Sequence, residues 1–100
     1  MPAAPLYPGF HRDEHGLTLL GRVVLDAWLF GLLPRGQDCA GWDLPRMQAL
    51  AEQVQKRWDA HGGLPSRLPE PLRAQHAELY AWATERARGL GWRPELGDDD

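Results

Sequence analysis

The sequence predicts an all-α protein: a small three-helix bundle with a central apolar first helix, a Pro-rich N-terminus and an acidic C-terminus that frays. Three observations lead there. No stretch alternates apolar and polar residues for long enough to make a strand, whereas three segments repeat apolar residues with helical period. Prolines and glycines punctuate the gaps between those segments, at Pro34, Gly62, Gly63, Pro69 and Pro71. The chain has 100 residues, 43% hydrophobic and 25% charged, which suits a single soluble domain. A domain of this size buries about 65% of its extended-chain surface, enough for one modest core. That core is expected over residues 17–92 of a single domain spanning residues 1–100.

The first helix is predicted over residues 17–33, stopped by Pro34. Leu20, Val24, Ala27 and Trp28 lie on one face and Leu19, Val23 and Phe30 on another, leaving only Thr18, Arg22 and Asp26 as a polar stripe. A helix apolar almost all round belongs in the middle of a bundle. Arg22 and Asp26 are spaced to pair one turn apart.

The second helix is predicted over residues 44–61. Asp43 is a favoured N-cap, and Pro45 falls in the first turn, where its missing N–H costs little. Met47, Leu50, Ala51, Val54 and Trp58 make the apolar stripe, and Gly62 and Gly63 end the helix. The third helix is predicted over residues 70–89, opening at Pro69 to Pro71 and closing at Gly89. Its stripe is Leu72, His76, Leu79, Ala83 and Ala87. Trp92, just beyond, is expected to lie back on the core.

Composition limits the function. Eleven Lys and Arg face 14 Asp and Glu, for a net charge of −3, and three of the acids are the terminal Asp98, Asp99 and Asp100. That balance argues against a nucleic-acid binder. The one cysteine, Cys39, excludes an internal disulfide and any all-cysteine metal site, and is expected to be a small buried hydrophobe. The most apolar stretch carries Arg22 and Asp26 and is shorter than the roughly 20 residues a membrane span needs. The first ten residues lack the basic start of a signal peptide, so a cytoplasmic location is expected. No phosphate loop, dinucleotide fingerprint, nucleophile elbow or paired carboxylates are present, so neither catalysis nor a cofactor is expected.

The first candidate site lies on helix one, where the polar stripe is continued by Leu29 and Leu33. Either the loop from Pro34 to Trp42 folds back over them, or they form an apolar patch for a partner. On helix three, Trp82 and Arg86, with Tyr80 nearby, are residue types that dominate interface hot spots. His11-Arg12-Asp13-Glu14-His15 would place His11 and His15 on one helical face, spaced to share a metal, if the segment were helical. Gly16 and the preceding Pro8-Gly9 weigh against that geometry and favour a solvated turn. The loop from His61 to Pro71 reads as a stiff connector, or as a platform presenting Arg67.

The functional expectation is a small non-catalytic helical protein, an adaptor or accessory factor that binds another protein through Leu29, Leu33, Trp82 and Arg86. It would be a monomer or a weak homodimer joined at the Leu29/Leu33 patch. The alternative is a metal-binding accessory protein that uses His11, His15 and the carboxylates beside them.

Overall fold

The computed structural model describes residues 6–92. Three α-helices follow one another: α1 (Leu19–Leu29), α2 (Leu44–Asp59) and α3 (Glu70–Gly89), with short 3₁₀ turns at Phe10–Arg12 and Pro65–Arg67. No strand occurs among the described residues, and the all-α three-helix expectation holds. The acidic end at Asp98–Asp100 lies outside the described residues.

Helix α1 is shorter than predicted at both ends. Its N-cap is Thr18, whose Oγ1 accepts from the Gly21 N–H at 3.1 Å. It stops at Leu29, well before Pro34, because Gly31 adopts φ +72° and the chain reverses there. The Leu32 N–H then donates to the Ala27 carbonyl at 2.8 Å and the Gly31 N–H to the Trp28 carbonyl at 3.2 Å, the bonding pattern of a glycine-terminated helix. Gly31 is the stop, and Pro34 only forbids any restart.

Helix α2 begins where expected. The Asp43 carboxylate accepts from the Arg46 N–H at 2.9 Å. It ends at Asp59, two residues early, as Gly62 turns to φ +70° and the Gly63 N–H donates to the Trp58 carbonyl at 2.8 Å. Helix α3 has the predicted bounds.

The core gathers Val24, Leu25, Ala27, Trp28 and Leu29 of α1, Met47, Leu50 and Val54 of α2, and Leu79, Ala83 and Ala87 of α3. Helix α1 packs against both other helices, and so is central. Its first turn is not apolar-buried all round, however: Leu19 is 82% exposed.

The N-terminal segment adds three core side chains, and Leu33, Cys39 and Leu68 of the loops complete the core. Tyr7, Phe10 and Leu17 are all buried, and Phe10 is sealed completely. The segment is tied to the loop after α1. Tyr7 N–H donates to the Trp42 carbonyl at 2.8 Å, Gly41 N–H to the Tyr7 carbonyl at 2.8 Å, and Phe10 N–H to the Asp38 carbonyl at 2.9 Å. The loop is in turn held to α1 by the Trp28 indole, whose Nε1 donates to the Gln37 carbonyl at 2.8 Å. Trp92 packs at the edge of the core, as expected, with its N–H on the Ala87 carbonyl at 2.9 Å.

Candidate functional site

Of the four residues expected to contact a partner, Leu29 and Leu33 must be corrected first. They are only 5% and 8% exposed and belong to the core, so they present no surface patch. For Leu33 the early turn at Gly31 is the reason, since the chain folds inward there instead of extending a helical face; Leu29 lies within α1 on a face that is covered.

Trp82 and Arg86 share a face of α3 but have divided roles. Arg86 is half-buried and turned toward the N-terminal segment. Its guanidinium donates to the His11 carbonyl at 3.0 Å and to the Phe10 and His15 carbonyls at 3.4 Å each, and it lies 4.8 Å from the centre of the Phe10 ring. Phe10 is also flanked by Trp28, edge-on at 5.1 Å, and by Trp82, stacked at 5.8 Å. Arg86 is thus a clasp on the chain's own backbone. Trp82 keeps 44% of its surface exposed and borders a shallow pocket of about 210 Å³ with Arg35, Gln75 and Glu78.

The histidine cluster is not assembled as a metal site. The 3₁₀ turn ends at Arg12 and Asp13 is extended at ψ 152°, so His11 and His15 do not share a helical face. The His15 Nδ1 accepts from the Leu17 N–H at 3.1 Å, and its ring lies 6.3 Å from Trp92, whereas the His11 ring lies beside Phe10 and Trp28. Asp13 is buried, with its oxygens taken by Tyr7 Oη (2.7 Å), Thr18 Oγ1 (2.6 Å) and Gly16 N–H (3.1 Å). Burial alone would raise its pKa, but the bonds from Thr18 and Tyr7 and from the backbone outweigh it and hold the carboxyl below the ordinary value. No group of three or more metal-ligating side chains comes together among the described residues.

A second polar centre joins all three helices. Asp26 of α1 accepts from Tyr80 Oη of α3 at 2.6 Å and from Trp58 Nε1 of α2 at 3.1 Å. The expected Asp26–Arg22 pair gives way to these longer-range partners. Desolvation raises the Asp26 pKa despite both donors, and the Tyr80 hydroxyl is raised by burial and by the carboxylate it faces. His76 stacks on Tyr80 at 4.5 Å, and His61 lies flat against Phe30 at 6.2 Å. This arrangement ties the bundle together.

Cys39 is fully buried, as expected, at an unusual φ of +67°. Burial and the neighbouring Asp38 push its thiol up to about 11, which leaves it a poor nucleophile. Arg67, considered as a presented contact, lays its side chain against the turn at Gly62.

The apolar surface lies elsewhere, where the N-terminal segment meets the start of α2. A groove of about 220 Å³ is lined by Leu6, Tyr7 and Pro8, by Leu20 of α1, and by Trp42, Leu44 and Met47. Leu6 and Leu44 stay 56% and 53% exposed. The two hydrogen bonds between Tyr7 and residues 41–42 fix one side of the groove against the other. At its rim the Arg46 guanidinium lies over the Trp42 ring, 3.8 Å from its centre. Sequence reasoning missed Leu6, Leu44 and Arg46. Leu44 stands one turn before Met47, at the edge of the α2 stripe, and periodicity alone does not say that this first turn stays half exposed.

Comparison with protein-family models, with curated proteins and with solved structures finds no match to the chain.

Proposed function

We propose that this protein is a non-catalytic adaptor or accessory factor that binds another protein through the groove between Leu6 and Leu44. One observation carries the reading: a fixed apolar groove bordered by two leucines that remain more than half exposed. Exposed apolar side chains around a rigid, aromatic-lined depression are the anatomy of an interaction surface. The size of the depression agrees. At about 220 Å³ it falls below the roughly 300–1,000 Å³ of small-molecule sites and matches the insertion of one or two side chains. No helix among the described residues is long and apolar enough to cross a membrane.

The test is affinity capture from cells that make the protein, comparing the parent with Leu44→Glu and Leu6→Glu. Both positions are exposed, so both variants should keep the parent's circular dichroism. A protein retained by the parent and lost with both variants is the expected result. Equal retention by all three forms would move the interaction off this groove.

A further inference from the structure

We propose that the segment received by this groove is acidic: an apolar side chain enters beside Trp42 and Leu44, and a carboxylate one or two residues away pairs with Arg46. The inference rests on the groove being the interaction surface and adds the chemistry of the partner.

The charge at the rim carries the argument. Arg46 is exposed, and among the described residues it pairs with no carboxylate. Its guanidinium nonetheless has a fixed neighbour, since it lies over the Trp42 ring at 3.8 Å from the centre. A guanidinium over an aromatic ring still has N–H groups to offer, and Arg pairs with a carboxylate in the bidentate manner. The stacking also lowers the ordering cost of a new pair, since the long side chain is already positioned. Asp43, three residues earlier, accepts the Arg46 backbone N–H at 2.9 Å as the cap of α2. Arg46 is therefore an exposed charge beside an apolar depression sized for one or two side chains. A basic segment would meet like charge there, and a neutral one would gain nothing from it.

The test uses two capped synthetic hexapeptides, Gly-Glu-Leu-Phe-Glu-Gly and its twin Gly-Lys-Leu-Phe-Lys-Gly, titrated into the full-length ¹⁵N-labelled protein. The readouts are the amide shifts of Leu6, Tyr7, Leu20, Leu44 and Met47 and the indole N–H of Trp42. The acidic peptide should shift these signals and the lysine twin should bind about ten-fold more weakly. Arg46→Glu should reverse the order. That variant keeps the fold, because its backbone N–H still reaches Asp43 and an acid is favoured in the first turn of a helix.

Equal binding of the twins, or an Arg46→Glu variant that changes neither, overturns the acidic preference while leaving the groove as an interaction surface. Groove signals that shift with protein concentration alone would make a second copy of the chain the occupant and overturn the proposal. Silence of the groove to both peptides also overturns it, and the capture experiment with Leu44→Glu then decides the broader reading separately.

Discussion

Arg86 holds Phe10 from two sides at once. Its guanidinium lies 4.8 Å from the centre of the Phe10 ring and also donates to the Phe10 carbonyl at 3.4 Å. One α3 side chain thereby fixes both the ring that plugs the core and the backbone that delivers it. Together with the His11 and His15 carbonyls, this makes Arg86 the main polar link between α3 and the N-terminal segment. Arg86→Ala removes the donors from three carbonyls and is expected to cost about 1–3 kcal/mol. Arg86→Lys should recover only part of that, because an ammonium cannot reproduce the planar fork. Urea unfolding midpoints of the three proteins check this. A midpoint for Arg86→Ala equal to the parent's would show that the clasp contributes nothing to stability.

Leu29 and Leu44 should respond oppositely to the same change. Leu29 is buried in the central helix, so Leu29→Ala is expected to cost about 2–5 kcal/mol and Leu29→Glu to prevent folding. Leu44 is half exposed at the first position of α2, and Leu44→Glu should change stability by no more than about 0.5 kcal/mol. Far-UV circular dichroism and thermal melts separate the two. A folded Leu29→Glu would return Leu29 to the surface.

The helices were readable because their signals are local. The Met47–Leu50–Val54 stripe, the Asp43 cap and the Gly62-Gly63 stop each lie within a few residues of the element they define. The end of α1 was misjudged because two stop signals compete there. Gly31 and Pro34 both suit a helix end, and the nearer one wins once its left-handed turn is satisfied by the Leu32–Ala27 bond. That choice redirects Leu33, which lies beyond the turn; Leu29 is inside the helix either way and is buried because its face is covered. Arg86, Asp26 and the groove were not readable, for a different reason. Arg86 reaches His11 across 75 positions of sequence, and Tyr80 reaches Asp26 across 54. Helical periodicity assigns a side chain to a face but does not say which distant segment covers that face. The groove likewise exists only because Tyr7 bonds to Trp42 and Gly41.

Cys39 is expected to be silent in the native protein. It is fully buried and its thiol is raised to about 11, so at pH 8 little thiolate forms and none is accessible. A disulfide reagent such as dithionitrobenzoate should titrate one thiol in urea and show only slow reaction without it. The slow rate should follow the opening of the fold, rising with added urea. Immediate native reaction would mean that the loop from Pro34 to Trp42 opens far more readily than its hydrogen bonds imply.

Asp13 and Asp26 should make stability depend on pH with opposite signs. The Asp13 carboxyl lies below its ordinary value in the folded protein, since its hydrogen bonds outweigh burial. It therefore contributes stability above the unfolded pKa, which is lost as pH falls through the folded one. Asp26 lies above its ordinary value because desolvation outweighs Tyr80 and Trp58. In the window between its unfolded and folded pKa the native state binds more protons than the unfolded state, so stability falls as pH rises through that window. Each can be isolated by a neutral replacement. Asp13→Asn should flatten the loss of stability on the acid side, at a cost in overall stability because the amide keeps one oxygen for three donors and turns its NH2 toward the rest. Asp26→Asn should remove the opposing decline above the ordinary carboxylate range. Asp26→Ala leaves the Tyr80 hydroxyl and the Trp58 indole without their partner and should cost about 1–3 kcal/mol. Urea unfolding from pH 3 to pH 7 on the parent and the three variants tests the signs directly. If Asp26→Asn kept the parent's decline with rising pH, the slope would belong to another group. If Asp13→Asn lost stability in acid as steeply as the parent, the buried carboxylate would not be the group whose protonation weakens the fold.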